Sequence, residues 1–226
     1  MIKDRCLIIF IKYPEKGMVK SRLAERFGDE FAAGLYENFI FDLLAILDDM
    51  ACRVQLYFDP PEKETEIREF FGDKYEYLPQ HGADLGERMS DAFTRSFAEG
   101  FSSVILIGSD LPDLPRRIIE EAFAALESQN DAVIGPAADG GYYLIGLKKQ
   151  AFTPDIFRGL SWSTSSVLAQ TTNILQASGH RLCFVDEWFD VDTGADLMSL
   201  IARSQKTDFV HSRTMAFLKK RGLLPD

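Results

Sequence analysis

Asp110 is held where a carboxylate can do chemistry. Residues 104–115 read Val-Ile-Leu-Ile-Gly-Ser-Asp-Leu-Pro-Asp-Leu-Pro. Four branched apolar residues predict a strand buried on both faces, and the two prolines bar its continuation as strand or ordinary helix. A carboxylate is thereby left at the carboxyl end of a buried strand, where open α/β sheets bind their ligands. Two roles suit it: ligand to a metal that faces a phosphorylated substrate, or cap of the helix that follows. A second acidic stretch, Asp190-Val-Asp192-Thr193-Gly-Ala-Asp196, fails as an EF-hand because Ile201 stands where that loop needs Glu. Two Asp flanking a Val share one face of an extended segment. With Asp110 they make a set able to hold magnesium, which takes one or two carboxylates plus substrate phosphate oxygens. Thr193 and Asp196 fit helix capping equally well.

The loop 12–23, Lys-Tyr-Pro-Glu-Lys-Gly-Met-Val-Lys-Ser-Arg-Leu, joins the first strand to the first helix. A loop in that position presents backbone N–H groups to phosphate, with Lys20 and Arg22 adding positive charge. Pro14 and Val19 stand where a P-loop requires Gly, so that motif is excluded. The competing reading is a solvated basic loop.

Three further segments carry polar groups. Gly135-Pro-Ala-Ala-Asp139-Gly140-Gly141-Tyr142-Tyr143 has paired glycines that admit close backbone approach and tyrosines able to stack on a sugar or base. It also reads as a plain hairpin turn. Gln80-His-Gly-Ala-Asp84-Leu85-Gly-Glu87-Arg88 offers amide, carboxylate and guanidinium groups, and Asp84 with Glu87 matches an acidic capping box. Ser161-Trp162-Ser163-Thr164 is either a helix cap or an aromatic platform on the acceptor side.

The elements that must position these groups alternate between strand and helix. Strands are predicted at 6–11, 53–58, 75–78, 104–107, 132–134, 142–147 and 182–185. Helices are predicted over 20–50 with a break near Gly28, and at 62–71, 85–98, 116–127, 166–177, 194–203 and 209–221. This pattern predicts one α/β domain, a three-layer α/β/α sandwich on a mainly parallel mixed sheet. One antiparallel strand is expected after residue 140, and a helical add-on over about 207–226. The 226 residues carry 46% hydrophobic and 27% charged side chains and a net charge of −10. That balance argues against nucleic-acid and anionic-membrane partners. The first 26 residues reverse it, with Lys3, Arg5, Lys12, Lys16, Lys20, Arg22 and Arg26 against Asp4, Glu15 and Glu25. A local basic patch of this kind suits a small anion. Cys6, Cys52 and Cys183 lie in or beside apolar runs and are expected to be reduced core residues. His81, His180 and His211 have no zinc spacing. With no signal-peptide pattern or apolar run of membrane length, a cytoplasmic setting is expected.

In order, the basic loop, Asp-Leu-Gly-Glu-Arg-Met, Gly-Ser-Asp-Leu-Pro, Gly-Pro-x-x-Asp-Gly-Gly-Tyr-Tyr-Leu, Trp-Ser-Thr and Asp-Val-Asp-Thr resemble the small bacterial GT-A-like nucleotide-diphospho-sugar transferases. That family includes the arsenosugar-biosynthesis glycosyltransferase-like group. The likeness spans roughly residues 5–200, with a more distant similarity to 2-phospholactate guanylyltransferase and molybdenum-cofactor nucleotidyltransferases. It implies a GT-A fold, Asp110 and Asp192 as ligands to Mg2+ or Mn2+, and Lys20 and Arg22 as phosphate binders. Asp110-Leu-Pro-Asp113 replaces the Asp-x-Asp usual in GT-A glycosyltransferases, which leaves Asp113 outside the metal set and leans toward the nucleotidyltransferase pattern. The function expected is metal-dependent glycosyl transfer from a nucleotide-diphospho-sugar to a small-molecule acceptor. Guanylyltransferase-like joining of a nucleoside triphosphate to a phosphorylated small molecule is the alternative, and a non-catalytic nucleotide-sugar binder the third possibility. Lys20, Arg22 and Asp139 are the expected catalytic residues. Lys12, Pro14, Gly17, Lys20, Arg22, Gln80, Asp84, Leu85 and Arg88 are expected to bind nucleotide. Gly140, Gly141, Tyr142, Trp162 and Ser163 are expected at the acceptor.

Overall fold

Alternation of short apolar runs with amphipathic stretches dictates a sheet that helices cover, and this is what the chain forms. The structure, a computed structural model, describes residues 4–162 and 164–224. They fall into two compact units. One holds the chain up to Ile11, Met50–Gly108 and Arg116–Trp188; the other holds Lys12–Asp49, Ser109–Pro115 and the chain from Phe189 on.

The first unit is built on β1 (Arg5–Lys12), β2 (Arg53–Asp59), β3 (Glu76–Pro79), β4 (Ser103–Ile107), β5 (Ala132–Pro136), β6 (Tyr142–Lys148) and β7 (Leu182–Phe184). These form one sheet in the order β3-β2-β1-β4-β6-β5-β7. β1 pairs parallel with β4, β2 with β3, and β5 with β7, while β6 runs antiparallel to both its neighbours. The mainly parallel mixed sheet and its single antiparallel member are thus as expected. All five residues of β4 are buried, which accounts for its unbroken apolar composition. The chain moves outward from β1 through β2 to β3, then returns to β4 on the other flank of β1. Such a reversal is where open sheets place ligand-binding loops at strand carboxyl ends.

The helices of this unit follow the apolar periodicity. They are α3 (Glu64–Phe71), α4 (Leu85–Ala98), α5 (Arg116–Glu127) and α6 (Val167–Ala177); the first two helices of the chain and the last two belong to the second unit. α4 drives Phe93 into a stack with Phe97, Phe152 and Phe157 at centroid distances of 5.9, 5.7 and 5.6 Å. Of the cysteines, only Cys6 is fully buried; Cys52 and Cys183 are half-buried, so the expectation of three core thiols holds for one.

The second unit contains α1 (Ser21–Phe27), α2 (Asp29–Ile46), α7 (Gly194–Ser204) and α8 (Arg213–Lys220). α1 and α2 are separated at Gly28, whose φ of 87° is open to glycine and strained for other residues. The single helix expected over 209–221 is interrupted: residues Asp208–His211 form a 3₁₀ turn, and Ser212 caps α8 by accepting from the Met215 N–H. Two more orphan donors of that helix start, the N–H groups of Arg213 and Thr214, are taken up by the Asp42 carboxylate on α2 at 2.9 and 2.7 Å. Asp42 is buried, so its removal strands both donors. Asp42→Ala should therefore cost about 2 kcal/mol in urea unfolding and should deprotect the α8 amides in hydrogen exchange. Unchanged exchange there would show that α8 is held by its apolar face alone.

Candidate functional site

The loop that continues from β1 carries Lys20, and the loop that continues from β4 carries Ser109 and Asp110. Lys20 ends the first loop in the left-handed region (φ 50°, ψ 46°), immediately before α1. An L-residue with a long side chain pays about 1 kcal/mol for that conformation. The conformation directs the ammonium inward, where only 4% of the side chain is exposed. Its Nζ lies 2.6 Å from Asp110 Oδ1 and 2.8 Å from Asp192 Oδ1. Beneath it are the rings of Tyr36 and Phe39 on α2, with centroids 5.8 and 5.9 Å away.

Each member of this cluster has its own support. Tyr36 Oη accepts from the Lys12 N–H at 3.0 Å and shares a hydrogen bond with Ser109 Oγ at 2.6 Å. Asp110 accepts through its backbone carbonyl from the Val191 N–H at 3.0 Å, and Val191 is fully buried. That bond ties the late acidic stretch to the strand-end turn. Thr193 and Asp196 form a reciprocal capping box at the start of α7. Asp196 Oδ2 also accepts from the Asp192 N–H at 3.2 Å, fixing the backbone that presents the Asp192 carboxylate. Asp113 is occupied elsewhere, in a two-bond clamp from Arg203 at 2.5 and 2.9 Å.

The charges explain the cluster's electrostatics. Burial pulls the Lys20 ammonium toward neutrality, but the adjacent charges of Asp110 and Asp192 and their hydrogen bonds more than offset it, so its pKa is raised. Burial, seconded by the Asp110 charge, pushes the Tyr36 hydroxyl up to about 12, so it serves as a neutral hydrogen-bonding group. The Asp110 and Asp192 side chains are 41% and 48% exposed, so each has oxygen lone pairs open to solvent. Two converging carboxylates with free faces are a fitting donor set for a hard divalent cation that completes its shell with water and phosphate oxygens.

The other expected site residues divide between the two units. In the second unit, Arg22 lies on the first turn of α1, exposed and without a side-chain hydrogen bond or ion pair among the described residues. Lys12 and Gly17 are exposed and Pro14 half-buried along the same loop. In the first unit, Gln80 is buried. Its amide donates to the carbonyls of Ile11 and Tyr57 at 3.2 and 2.9 Å, and its carbonyl accepts from Arg88. Arg88 also faces Asp59 at 3.4 Å. Asp84 caps α4 by accepting from the Glu87 N–H at 2.8 Å, and Leu85, at the first position of α4, stands exposed. Asp139 accepts from the Gly141 N–H at 2.9 Å within the β5–β6 hairpin, and Gly140 adopts a φ of 89°. Trp162 packs so closely over Gly86 of α4 that a Cβ there would come within 2.7 Å of the indole Nε1. Tyr142 meets Trp162 edge-on at 6.4 Å, with its hydroxyl buried and without a partner among the described residues. Ser163 lies outside the described residues. Sequence reasoning missed Tyr36, Phe39, Ser109 and Arg203. The first two carry only the ordinary apolar spacing of a helix face, so nothing in the sequence separates them from core.

Because either carboxylate can neutralise the buried ammonium, loss of one should be tolerated and loss of both should not. Asp110→Asn and Asp192→Asn are each expected to change unfolding free energy by less than about 1 kcal/mol. The double variant is expected to lose about 3 kcal/mol by leaving Lys20 buried and uncompensated. Strict additivity in urea denaturation would show that the pair does not anchor Lys20.

A family model described as an uncharacterized protein conserved in bacteria (DUF2064) matches residues 43–164. No curated protein matches the chain. Among solved structures, a provisionally named nucleotide-diphospho-sugar transferase of Desulfovibrio desulfuricans G20 superimposes with a TM-score of 0.92 at 36% identity, over 98% of this chain and 99% of that one. CMP:2-keto-3-deoxy-manno-octonic acid synthetase complexed with CTP gives a TM-score of 0.55 at 13% identity, over 90% of this chain and all (100%) of the other. Rv0371c of Mycobacterium tuberculosis H37Rv, in complex with manganese, gives 0.53 at 13%, over 88% and 98%. The fold is the α/β fold of the nucleotide-diphospho-sugar transferases, and the resemblance carried by the sequence motifs holds. Among the described residues, no helix is long and apolar enough to cross a membrane.

Proposed function

The chain belongs to the bacterial DUF2064 family, and we propose that it is a metal-dependent transferase that moves a sugar from a nucleotide-diphospho-sugar to a small-molecule acceptor. One observation carries the reading: Asp110 and Asp192, distant in sequence, converge on a single cationic group. Asp110 and Asp192 would hold Mg2+ or Mn2+. When bound, such an ion supplies charge neutralisation for a diphosphate leaving group. Arg22, exposed and uncommitted, grips phosphate oxygens bidentately, and Lys20 adds positive charge from the same loop. The Tyr36–Ser109 hydrogen bond holds the Asp110 turn in place. Asp139 is assigned to orient or deprotonate the acceptor, with Gly140, Gly141, Tyr142, Trp162 and Ser163 on the acceptor side. Lys12, Pro14 and Gly17 of the second unit are assigned to the nucleotide, and in the first unit Gln80, Asp84, Leu85 and Arg88 are the residues assigned to it. Likeness to a 36%-identical protein named as a transferase, and to a fold neighbour solved with manganese, supports the reading.

A specific observation favours a second reading, nucleotidyl transfer. Asp113 is locked by Arg203, so the strand-end turn offers one free carboxylate where a glycosyltransferase Asp-x-Asp offers two. A fold neighbour that is a synthetase complexed with CTP belongs to that class. The leaving group separates the two reactions: nucleoside diphosphate for glycosyl transfer, pyrophosphate for nucleotidyl transfer. Turnover over a panel of nucleotide sugars and nucleoside triphosphates with Mn2+ should release nucleoside diphosphate. Asp110→Asn should lower that turnover by about two orders of magnitude or more, and Arg22→Ala should weaken donor binding about tenfold. Pyrophosphate release selects the second reading. Nucleotide binding without turnover of any panel member would overturn both.

A further inference from the structure

The Lys20 ammonium stands where a cation shared by Asp110 and Asp192 would stand. Its Nζ contacts Oδ1 of each, at 2.6 and 2.8 Å. A metal bound to either oxygen at about 2.1 Å would lie within about 5 Å of that ammonium, in a pocket where the Lys20 side chain is nearly excluded from water. Repulsion between a dication and an ammonium at that range is screened far less than at a surface. We infer that Lys20 is a built-in competitor for the divalent cation. Its ammonium occupies the Oδ1 face that the two carboxylates share and must leave it before one cation can be held by both, while their outer faces stay in water.

Two features support a side chain with two positions. The first is the left-handed backbone at Lys20, one of two non-glycine residues with positive φ among those described. That strain is held by the ion pairs the ammonium makes inward, so loss of those pairs favours release. The second is the sign of the charge. Two carboxylates and one ammonium sum to −1, a site that repels phosphate. Two carboxylates, a divalent cation and a displaced ammonium nearby sum to +1, a site that attracts it. A diphosphate thus rewards both changes, giving the displaced ammonium a new partner and the cation further oxygen ligands. Polyphosphate and divalent cation should therefore bind with positive cooperativity, mediated by one side chain.

The inference rests on the reading of Asp110 and Asp192 as the cation site. The test is binding of Mn2+ alone, followed by the free-ion electron paramagnetic resonance signal, without nucleotide. Wild type is compared with Lys20→Gly, which suits the left-handed backbone and protects folding, and with Lys20→Met, which keeps the side-chain bulk. Both variants should bind Mn2+ about tenfold or more tightly than wild type, and adding Asp110→Asn to either should abolish the gain. Equal Mn2+ affinity in all three chains, lost with Asp110→Asn, overturns the competition and leaves the cation site standing. Absence of Mn2+ binding in every chain removes the cation site and the inference with it.

Discussion

A buried ammonium between two carboxylates is the constraint on which the candidate site depends. Lys20 cannot be desolvated without a carboxylate partner, Asp110 or Asp192, and neither carboxylate would face the other without a positive charge between them. The three residues come from three separate loops, so their meeting requires those loops to be fixed in relation to one another. Backbone bonds do that work: Val191 to Asp110, Lys12 to Tyr36, and the Thr193–Asp196 box. None of these bonds touches the charges, yet each limits where a charge can go.

Carboxylates of this kind face two demands at once. A structural ion pair is best fully buried and fully bonded, whereas a metal ligand must keep lone pairs available. Here the burden is split unequally. The lysine is almost entirely enclosed, while both aspartates keep close to half their surface in water. A purely structural bridge has no need of that asymmetry. The Asp113–Arg203 pair shows the contrast: its carboxylate is 7% exposed and takes two hydrogen bonds from one guanidinium, leaving little for a ligand. Two aspartates three residues apart thus sit in opposite surroundings, the first half in water and the second sealed.

Much of this was legible in the sequence because the signals were local. The unbroken apolar run before Gly108 gave β4, Gly28 gave the break between α1 and α2, and Asp84 with Glu87 gave the α4 cap. The pairing of Asp110 with Asp192 also followed from residue type and motif order. What stayed hidden was nonlocal. Tyr36 and Phe39 sit on a helix face whose apolar spacing serves the core and the cation floor alike. Arg203 gives no sign in sequence that its partner is Asp113. The Lys20 conformation was out of reach as well, because left-handed backbone at a lysine contradicts its local preference and exists only through its distant partners.

The same conflict between local preference and tertiary demand bears on what the basic loop is for. A lysine on a solvated loop has no reason to adopt strained backbone, since its charge is satisfied by water in any rotamer. Phosphate binding alone would be served as well by an exposed cation, and Arg22, two positions further on, is exposed. Burial of Lys20 against Asp110 and Asp192 is therefore a separate property, one that sets the charge of the site before any ligand arrives. A site held at −1 is protected from free phosphate and keeps its carboxylates from repelling each other. In the proposed function Arg22 attracts the anion, and Lys20 determines when the two carboxylates can share one cation. The division of labour follows from burial: one cation is free to meet the ligand, and the other must first give up its partners.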